Sequence, residues 1–325
     1  MDLSVIIVNW NSAEDARKCL TTVYANTRGL EFEVVVIDNA SHDRCGEMLR
    51  EHFPQARFLQ SEANVGFAKA NNLASQQASG RNILFLNPDT EVVGPAIADM
   101  AAVLDARPDA AIVGPRLLNS DGSIQTSCIR AFPTILNESL DADWLQRIFP
   151  RWSLWGMRPL FDPVPKVTKV DVVSGASLMI KRSAFEQVGM FTTSYFMYAE
   201  DVDLCFKVRQ AGWNTYFVGS ATVIHHGGQS SNKQEKKNFA AIAMREAKLQ
   251  YFVLRRGRTY AVTYRVTTAC VAFARLMLLI AALVLTAGSV RRHAIGSALS
   301  KWVAILRWCV GTTSKVRLKS QEVGI

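Results

Sequence analysis

A chain of 325 residues that is 49% hydrophobic and 20% charged has a globular composition and can bury a large core, as one domain or as a domain plus an appendage. Its six cysteines, Cys19, Cys45, Cys128, Cys205, Cys270 and Cys309, are scattered with no CxxC pair, which argues against a zinc site and against a disulfide framework. The net charge of +9 is uneven: residues 251–325 carry twelve Lys and Arg against Glu322 alone, so +11 sits on the tail and −2 on the first 250 residues.

Residues 3–8 (LSVIIV) read as a strand with no basic-then-apolar leader ahead of it, so a reducing cytosolic setting is expected. Asn9-Trp10-Asn11-Ser12 follows, then an amphipathic helix over 13–25. Residues 32–37 (FEVVVI) form a second strand that ends in Asp38-Asn39-Ala40-Ser41, and Arg57–Gln60 a short third. Residues 64–79 read as a helix. Residues 83–86 (ILFL) are apolar throughout, the pattern of a strand buried on both faces. Pro88 stops the ladder there and leaves Asp89 at the strand's C-terminal end. Residues 112–114 read as one more strand, at an end of the sheet. Strands alternating with helical stretches of about 10–15 residues indicate βαβ units and a mostly parallel sheet. Between 130 and 169, Trp144, Phe149, Trp152, Trp155 and Phe161 suit core packing or an acceptor- or lipid-facing surface.

The strand ends carry the chemistry. Asn9, Asp38 and Asp89 share the sheet edge where open α/β folds bind ligands. No GxGxxG follows the first strand and no GxxxxGK[ST] exists, so a dinucleotide fingerprint and a P-loop are excluded. Asp38 suits either a helix cap or an acceptor for a pyrimidine N–H. Asn87-Pro88-Asp89 suits either a turn or a carboxylate holding a divalent cation against phosphate oxygens. Glu200, Asp201 and Asp203 suit first-turn placement on a helix. Equally, their crowding should raise at least one pKa, which suits a base. The His225-His226 pair followed by Gly227-Gly228 is either a loop with no role or a metal or diphosphate contact.

Six segments in order, Asp38-Asn39-Ala40-Ser41, residues 64–72 (NVGFAKANN), Asn87-Pro88-Asp89, residues 174–179 (SGASLM), residues 200–204 (EDVDL) and residues 225–230 (HHGGQS), resemble those of family-2 glycosyltransferases with the GT-A fold, in their bacterial rhamnosyltransferase-like branch. The resemblance covers residues 3–250. It implies an α/β fold with a GT-A-type, mostly parallel sheet flanked by helices. Residues 1–115 would be the nucleotide-sugar half and 116–250 the acceptor-binding and catalytic half. It implies donor contacts from Asn9, Trp10, Asn11, Asp38, Asn39, Gly66, Lys69, Asn72, Asn87 and Asp89. Asp89 and His225, or His226 in its place, would hold Mg²⁺ or Mn²⁺. Asn87 departs from a strict DxD. Asp201 is implied as the base of an inverting transfer, with Gly175, Ala176, Glu200 and Asp203 at the acceptor or sugar. The implied donor is dTDP-L-rhamnose, a UDP-hexose or UDP-galactofuranose being the alternative. The acceptor is lipid-linked or a glycan. A catalytically silent sugar-nucleotide-binding protein has less need of Asp89, Asp201 and His225 together.

The tail completes the expectation. Residues 276–287 are uncharged, but Arg275 interrupts the run, so a clean span of about 20 residues is not expected. Residues 294–310 alternate Ile, Leu, Trp and Val with Lys301 and Arg307, the pattern of a basic interfacial helix. Residues 251–325 thus read as a helical appendage peripheral to, or shallowly inserted in, the cytoplasmic face of the cell membrane. No nucleic-acid partner is expected.

Overall fold

The computed structural model describes residues 1–140, 143–227, 234–285 and 292–311. The chain divides into two compact units, Met1–Phe132 with Asp143–Gly227, and Pro133–Ala142 with Gly228–Ile325.

In the first unit the elements run β1 (Leu3–Asn9), α1 (Ala13–Asn26), β2 (Phe32–Asp38), α2 (Cys45–His52), β3 (Arg57–Gln60), α3 (Phe67–Gln76), β4 (Asn82–Leu86), β5 (Thr90–Val93), α4 (Ala96–Ala106), β6 (Ala110–Leu118) and β7 (Ile129–Arg130). The second unit contributes α5 (Ile135–Leu140). The first unit then resumes with α6 (Asp143–Ile148), β8 (Val167–Val170), β9 (Val172–Val173), β10 (Ser177–Lys181), α7 (Arg182–Gln187), α8 (Glu200–Gln210) and β11 (Asn214–His225).

One mixed sheet orders its strands β3-β2-β1-β4-β10-β6-β11-β5, with β8 also on β11. The four N-terminal strands are parallel. β10 enters antiparallel between β4 and β6, and β11 runs parallel to β6 and antiparallel to β5 and β8. β1 and β4 are buried at every position, as strands covered by helices on both faces must be. Phe85 of β4 meets Phe191 and Phe185 at ring-centroid distances of 4.8 and 5.1 Å; each such pair contributes about 0.5–1.5 kcal/mol beyond burial.

The strand at 112–114 is longer than expected and lies inside the sheet, between β10 and β11. Gly114 and Pro115 mask it in the sequence. Pro115 is tolerated because β10 pairs only with Ile112 and Val113, and the β11 register shifts just after Val218↔Pro115.

Register places the ligand edge. Asn9 pairs with Asp38, and Ile7 with Leu86, so Asn9, Asp38 and the turn after Leu86 emerge together. Ser177 pairs with Leu86 in the opposite direction, which brings residues 174–176 to the same edge. His225 pairs with Thr90, so β11 also ends there. All six cysteines are free thiols.

The second unit holds α5 with α9 (Gln234–Arg256), α10 (Arg258–Leu285) and α11 (Arg292–Cys309); α9 runs unbroken through residue 250. Ala272, Leu276, Trp302 and Ile305 form its buried cluster. The expectation that Arg275 breaks the apolar run is overturned: Arg258–Leu283 is long and apolar enough to cross a membrane. The guanidinium of Arg275 lies 4.5 Å over the Trp302 ring and donates to the Ser139 carbonyl, so its charge is met inside the unit. Arg265 likewise caps α11, donating to the Trp308 and Cys309 carbonyls at 2.8 and 2.9 Å. Part of the basic excess is therefore structural. Arg291, Lys315, Arg317, Lys319 and Glu322 lie outside the described residues.

Candidate functional site

Asn9 is fully buried and ties the first two strand ends together. Its amide donates to Asp38 Oδ1 at 2.7 Å and to Ser41 Oγ at 3.1 Å, and its carbonyl oxygen accepts from the Ser12 hydroxyl. Asp38 also accepts from the Ser41 N–H and from Gln60. Burial pushes its pKa up, but the bonds from Ser41, Asn9 and Gln60 outweigh this, and the net direction is down. Asp38 is therefore a fixed anion inside a turn. It does not cap α2, whose N-cap is Arg44. Asn11 sits at φ +53°, a conformation Asn tolerates. Its N–H bonds Ser41 and its side chain bonds the His42 N–H, locking the two loops. Trp10 is half-buried.

Asn39 reaches the next loop, donating to Asn64 and accepting from the Val65 N–H. Gly66, the N-cap of α3, has φ +81°, and a Cβ there would lie 2.9 Å from the Phe196 carbonyl oxygen. Only glycine fits. Lys69 is exposed on α3. Asn72 departs from the donor role that the resemblance implies: its amide grips both main-chain groups of Phe191, at 2.8 and 3.0 Å. It fixes the loop before α8.

At the end of β4, the Asn87 N–H donates to the Ala176 carbonyl at 2.9 Å, linking the Asn-Pro-Asp turn to Gly175. Asp89 Oδ1 stands 3.3 Å from His225 Nε2, and Asn87 Nδ2 stands 3.4 Å from the same nitrogen. The two histidines face different partners. His226 turns to Glu91 at 2.9 Å and Ser120 at 2.8 Å, while its N–H holds the Asp89 carbonyl. Two ligands bound at about 2.1 Å and at right angles stand about 3 Å apart, so the Asp89–His225 separation fits one cation. Among the described residues no cluster of three or more His, Cys, Asp or Glu could hold a metal. Two protein donors plus substrate oxygens and water are what Mg²⁺ ordinarily takes. Gly228, Gln229 and Ser230 lie outside the described residues.

The acidic cluster opens α8 directly after two left-handed residues, Tyr198 (φ +67°) and Ala199 (φ +62°). Such backbone persists where surrounding structure imposes it, and functional sites collect it. Asp201 Oδ2 accepts from Arg130 and from the Gly175 N–H, both at 3.0 Å. A Cβ on Gly175 would lie 3.3 Å from that of Asp201. Asp203 is wholly buried, its oxygens taken by the Thr192 and Tyr195 hydroxyls, so it shapes the segment rather than touching an acceptor. Sequence reasoning passed over Arg130 and Gln125, which bonds His225; neither lies in a motif, and the two-residue strand that ends at Arg130 carries no sequence signal.

The raised pKa expected of this trio falls on Glu200. Burial, and then the Asp201 charge, push it from 4.5 to about 8, and its Oε2 is buried with no hydrogen-bond partner. A carboxyl whose folded pKa lies above its unfolded value keeps a proton that the unfolded chain releases. Its contribution is fully present below about pH 4.5 and is lost as pH rises toward 8. Glu200→Gln is therefore expected to flatten the fall in melting temperature between pH 5 and 8 in a thermal-denaturation series. Parallel curves for the two proteins would contradict the shift.

Among the aromatics at 144–161, Trp155 is buried and bonds the Phe149 carbonyl. Phe149 and Trp152 stack at 4.6 Å on the surface. The side chain of Trp144 lies outside the described residues.

The chain matches the family model for glycosyl transferase family 2 over residues 4–189 and that for glycosyl transferase family 21 over residues 164–317. It is 31% identical over 255 residues, 74% of its length and 80% of the relative's, to an N-acetylglucosaminyl-diphospho-decaprenol L-rhamnosyltransferase of Mycobacterium tuberculosis. It is 23% identical to the rhamnosyltransferase WbbL of Escherichia coli, covering 72% of this chain and 87% of that one. Among solved structures, a mannosyltransferase from Pyrobaculum calidifontis in complex with GDP-Man and Mn²⁺ superposes with a TM-score of 0.57 at 16% identity. That match covers 96% of this chain and 87% of the other. With this edge geometry, sheet and similarity, the chain belongs to glycosyl transferase family 2 and has the GT-A fold.

Proposed function

We propose that the enzyme moves L-rhamnose from dTDP-L-rhamnose to a lipid-linked or polysaccharide acceptor in cell-envelope glycan synthesis. The observation that carries the reading is the facing pair Asp89–His225, held on the same sheet edge as Asp201 through Asn87, Ala176 and Gly175. A divalent cation bound by Asp89 and His225 would neutralise the leaving diphosphate. Asp38, Asn9 and the Asn64–Gly66 loop form the wall for base and ribose. Asp201 takes the proton of the acceptor hydroxyl as its oxygen bonds the anomeric carbon and the sugar–phosphate bond breaks, the electron pair leaving with the diphosphate. A protonated Glu200 beside it supplies a hydrogen-bond donor to the sugar or acceptor. The similarity to two rhamnosyltransferases favours this donor over UDP-hexose or UDP-galactofuranose.

The second unit suits a membrane surface. Along α10, Val262, Val266, Phe273, Met277 and Ile280 recur on one face and are exposed, while Ala261, Tyr264, Ala272 and Leu276 pack inward. The test has two arms. Purified enzyme with Mn²⁺ and a polyprenyl-diphosphate-linked acceptor should turn over dTDP-L-rhamnose at least about tenfold faster than UDP-glucose or UDP-galactofuranose. The full chain should float with anionic vesicles, and Phe273→Glu with Met277→Glu should lose that flotation. A preference for a UDP-sugar would replace the donor, and unchanged flotation would remove the membrane face.

A further inference from the structure

We propose that the turn at residues 119–125, between β6 and β7, is a polarity relay that fixes the tautomer of His225, with Gln125 as the positioning residue for a cation at Asp89 and His225. The inference rests on the reading of those two residues as the cation's protein ligands.

Each link has one direction. A carboxylate only accepts, and the Ser123 hydroxyl and N–H, which bond Asp121, hold its carboxyl below the usual range. The Ser123 hydroxyl donates its one proton to Asp121 at 2.6 Å. Its oxygen must therefore accept from Asn119, and the Asn119 Nδ2 lies 2.9 Å away. That turns Asn119 Oδ1 toward Gln125, whose Nε2 donates to it at 3.0 Å and lies 3.5 Å from the His225 carbonyl oxygen. A flipped Gln125 would set oxygen against both acceptors. Gln125 Oε1 is thus the atom that meets His225 Nδ1 at 2.8 Å, and it can only accept. Nδ1 carries the proton.

Nε2 of the neutral ring is then an unprotonated nitrogen facing Asp89 Oδ1, 3.3 Å away. Two lone pairs facing at that distance invite a cation between them. The other tautomer would place an N–H in the same gap and close it with a hydrogen bond to Asp89. The Asn87 amide at 3.4 Å from Nε2 fits the same assignment, since it can donate to a lone pair. Outer partners of ligating histidines act in this way, fixing ring orientation and tautomer. Main-chain bonds keep the relay in place: Asn119 N–H to the Ser123 carbonyl, and Gln125 N–H to the Leu117 carbonyl.

The test uses the full chain with Mn²⁺ alone, followed by electron paramagnetic resonance, and nitrogen-15 spectra of the metal-free protein at pH 8, where an ordinary imidazole is neutral. Wild type should show His225 protonated at Nδ1. Gln125→Leu should bind Mn²⁺ about 10–100-fold more weakly and shift the ring toward the Nε2–H form. Gln125→Glu still accepts from Nδ1 although it sets a second oxygen against Asn119 Oδ1 and the His225 carbonyl, so its ring should stay in the Nδ1–H form and its Mn²⁺ affinity should exceed that of Gln125→Leu. Ser123→Ala, which unties the relay but touches neither ligand, should fall between. An Nε2–H ring in wild type, or unchanged affinity in Gln125→Leu, overturns the relay. Equal Mn²⁺ binding by wild type and Asp89→Ala instead overturns the reading of the cation ligands, and the spectra still decide the tautomer.

Discussion

Asp201→Asn is expected to lower the transfer rate by about 10²–10⁴-fold, the range a positioned general base contributes, while donor KM and Mn²⁺ affinity stay within a few-fold of wild type. The substitution keeps shape and removes the proton acceptor. Asp201 is nearly buried and takes the Arg130 guanidinium and the Gly175 N–H on one oxygen, with its own Val202 N–H on the other. An amide also removes the carboxylate that the Arg130 guanidinium bonds, so a stability loss of about 1–3 kcal/mol accompanies the change. The two effects separate experimentally. A melting curve reports the ion pair, and kcat in single-turnover conditions reports the proton. Asp203→Asn is the comparison, because Asp203 is wholly buried and held by the Thr192 and Tyr195 hydroxyls and should cost stability first. A kcat for Asp201→Asn within tenfold of wild type would remove Asp201 as the base.

Much of this arrangement was legible because period and punctuation coincide. The apolar runs at 3–8 and 83–86 are strands buried on both faces, that at 32–37 is buried from Val34 onward, and the polar residues that end them emerge together by register. The second half was harder. β10 enters the sheet antiparallel, β10 and β11 both lie out of chain order, and no local pattern encodes that. Gly114 and Pro115 concealed an interior strand for the same reason. At the site, motif position predicted that Asn72 and Asp203 would touch ligand, whereas each is buried and bonded within the fold. A buried polar residue and a ligand-facing one look alike in a sequence, and only the partners across the fold separate them. Arg130 and Gln125 show the converse, since their roles exist only through contacts with Asp201 and His225. The tail misled through charge counting: Arg265 and Arg275 lie in the apolar helix and are met by carbonyls and a Trp ring.

Asp89→Ala is expected to abolish the cation dependence of turnover and to lower the rate by about 10²–10³-fold, the scale of losing one preorganised electrostatic group at the leaving charge. Among the described residues Asp89 is the charged side chain paired with His225 Nε2, and Asn87 supplies a neutral amide. A cation held there keeps most of its charge for the diphosphate, and its hold on the protein is correspondingly weak. Wild type treated with chelator should therefore fall to the level of Asp89→Ala, and added Mn²⁺ should revive only wild type. His225→Ala should lose a similar factor. On the proposal that both side chains act through one ion, the double variant should be no slower than the slower single one; additive losses would separate their roles. The fold should tolerate these changes, as the Asp89 main chain remains bonded to the His226 N–H. Asn87→Asp supplies the opposite sign. A second carboxylate at the same turn should tighten Mn²⁺ binding, and if it leaves affinity unchanged the cation does not sit at the end of β4.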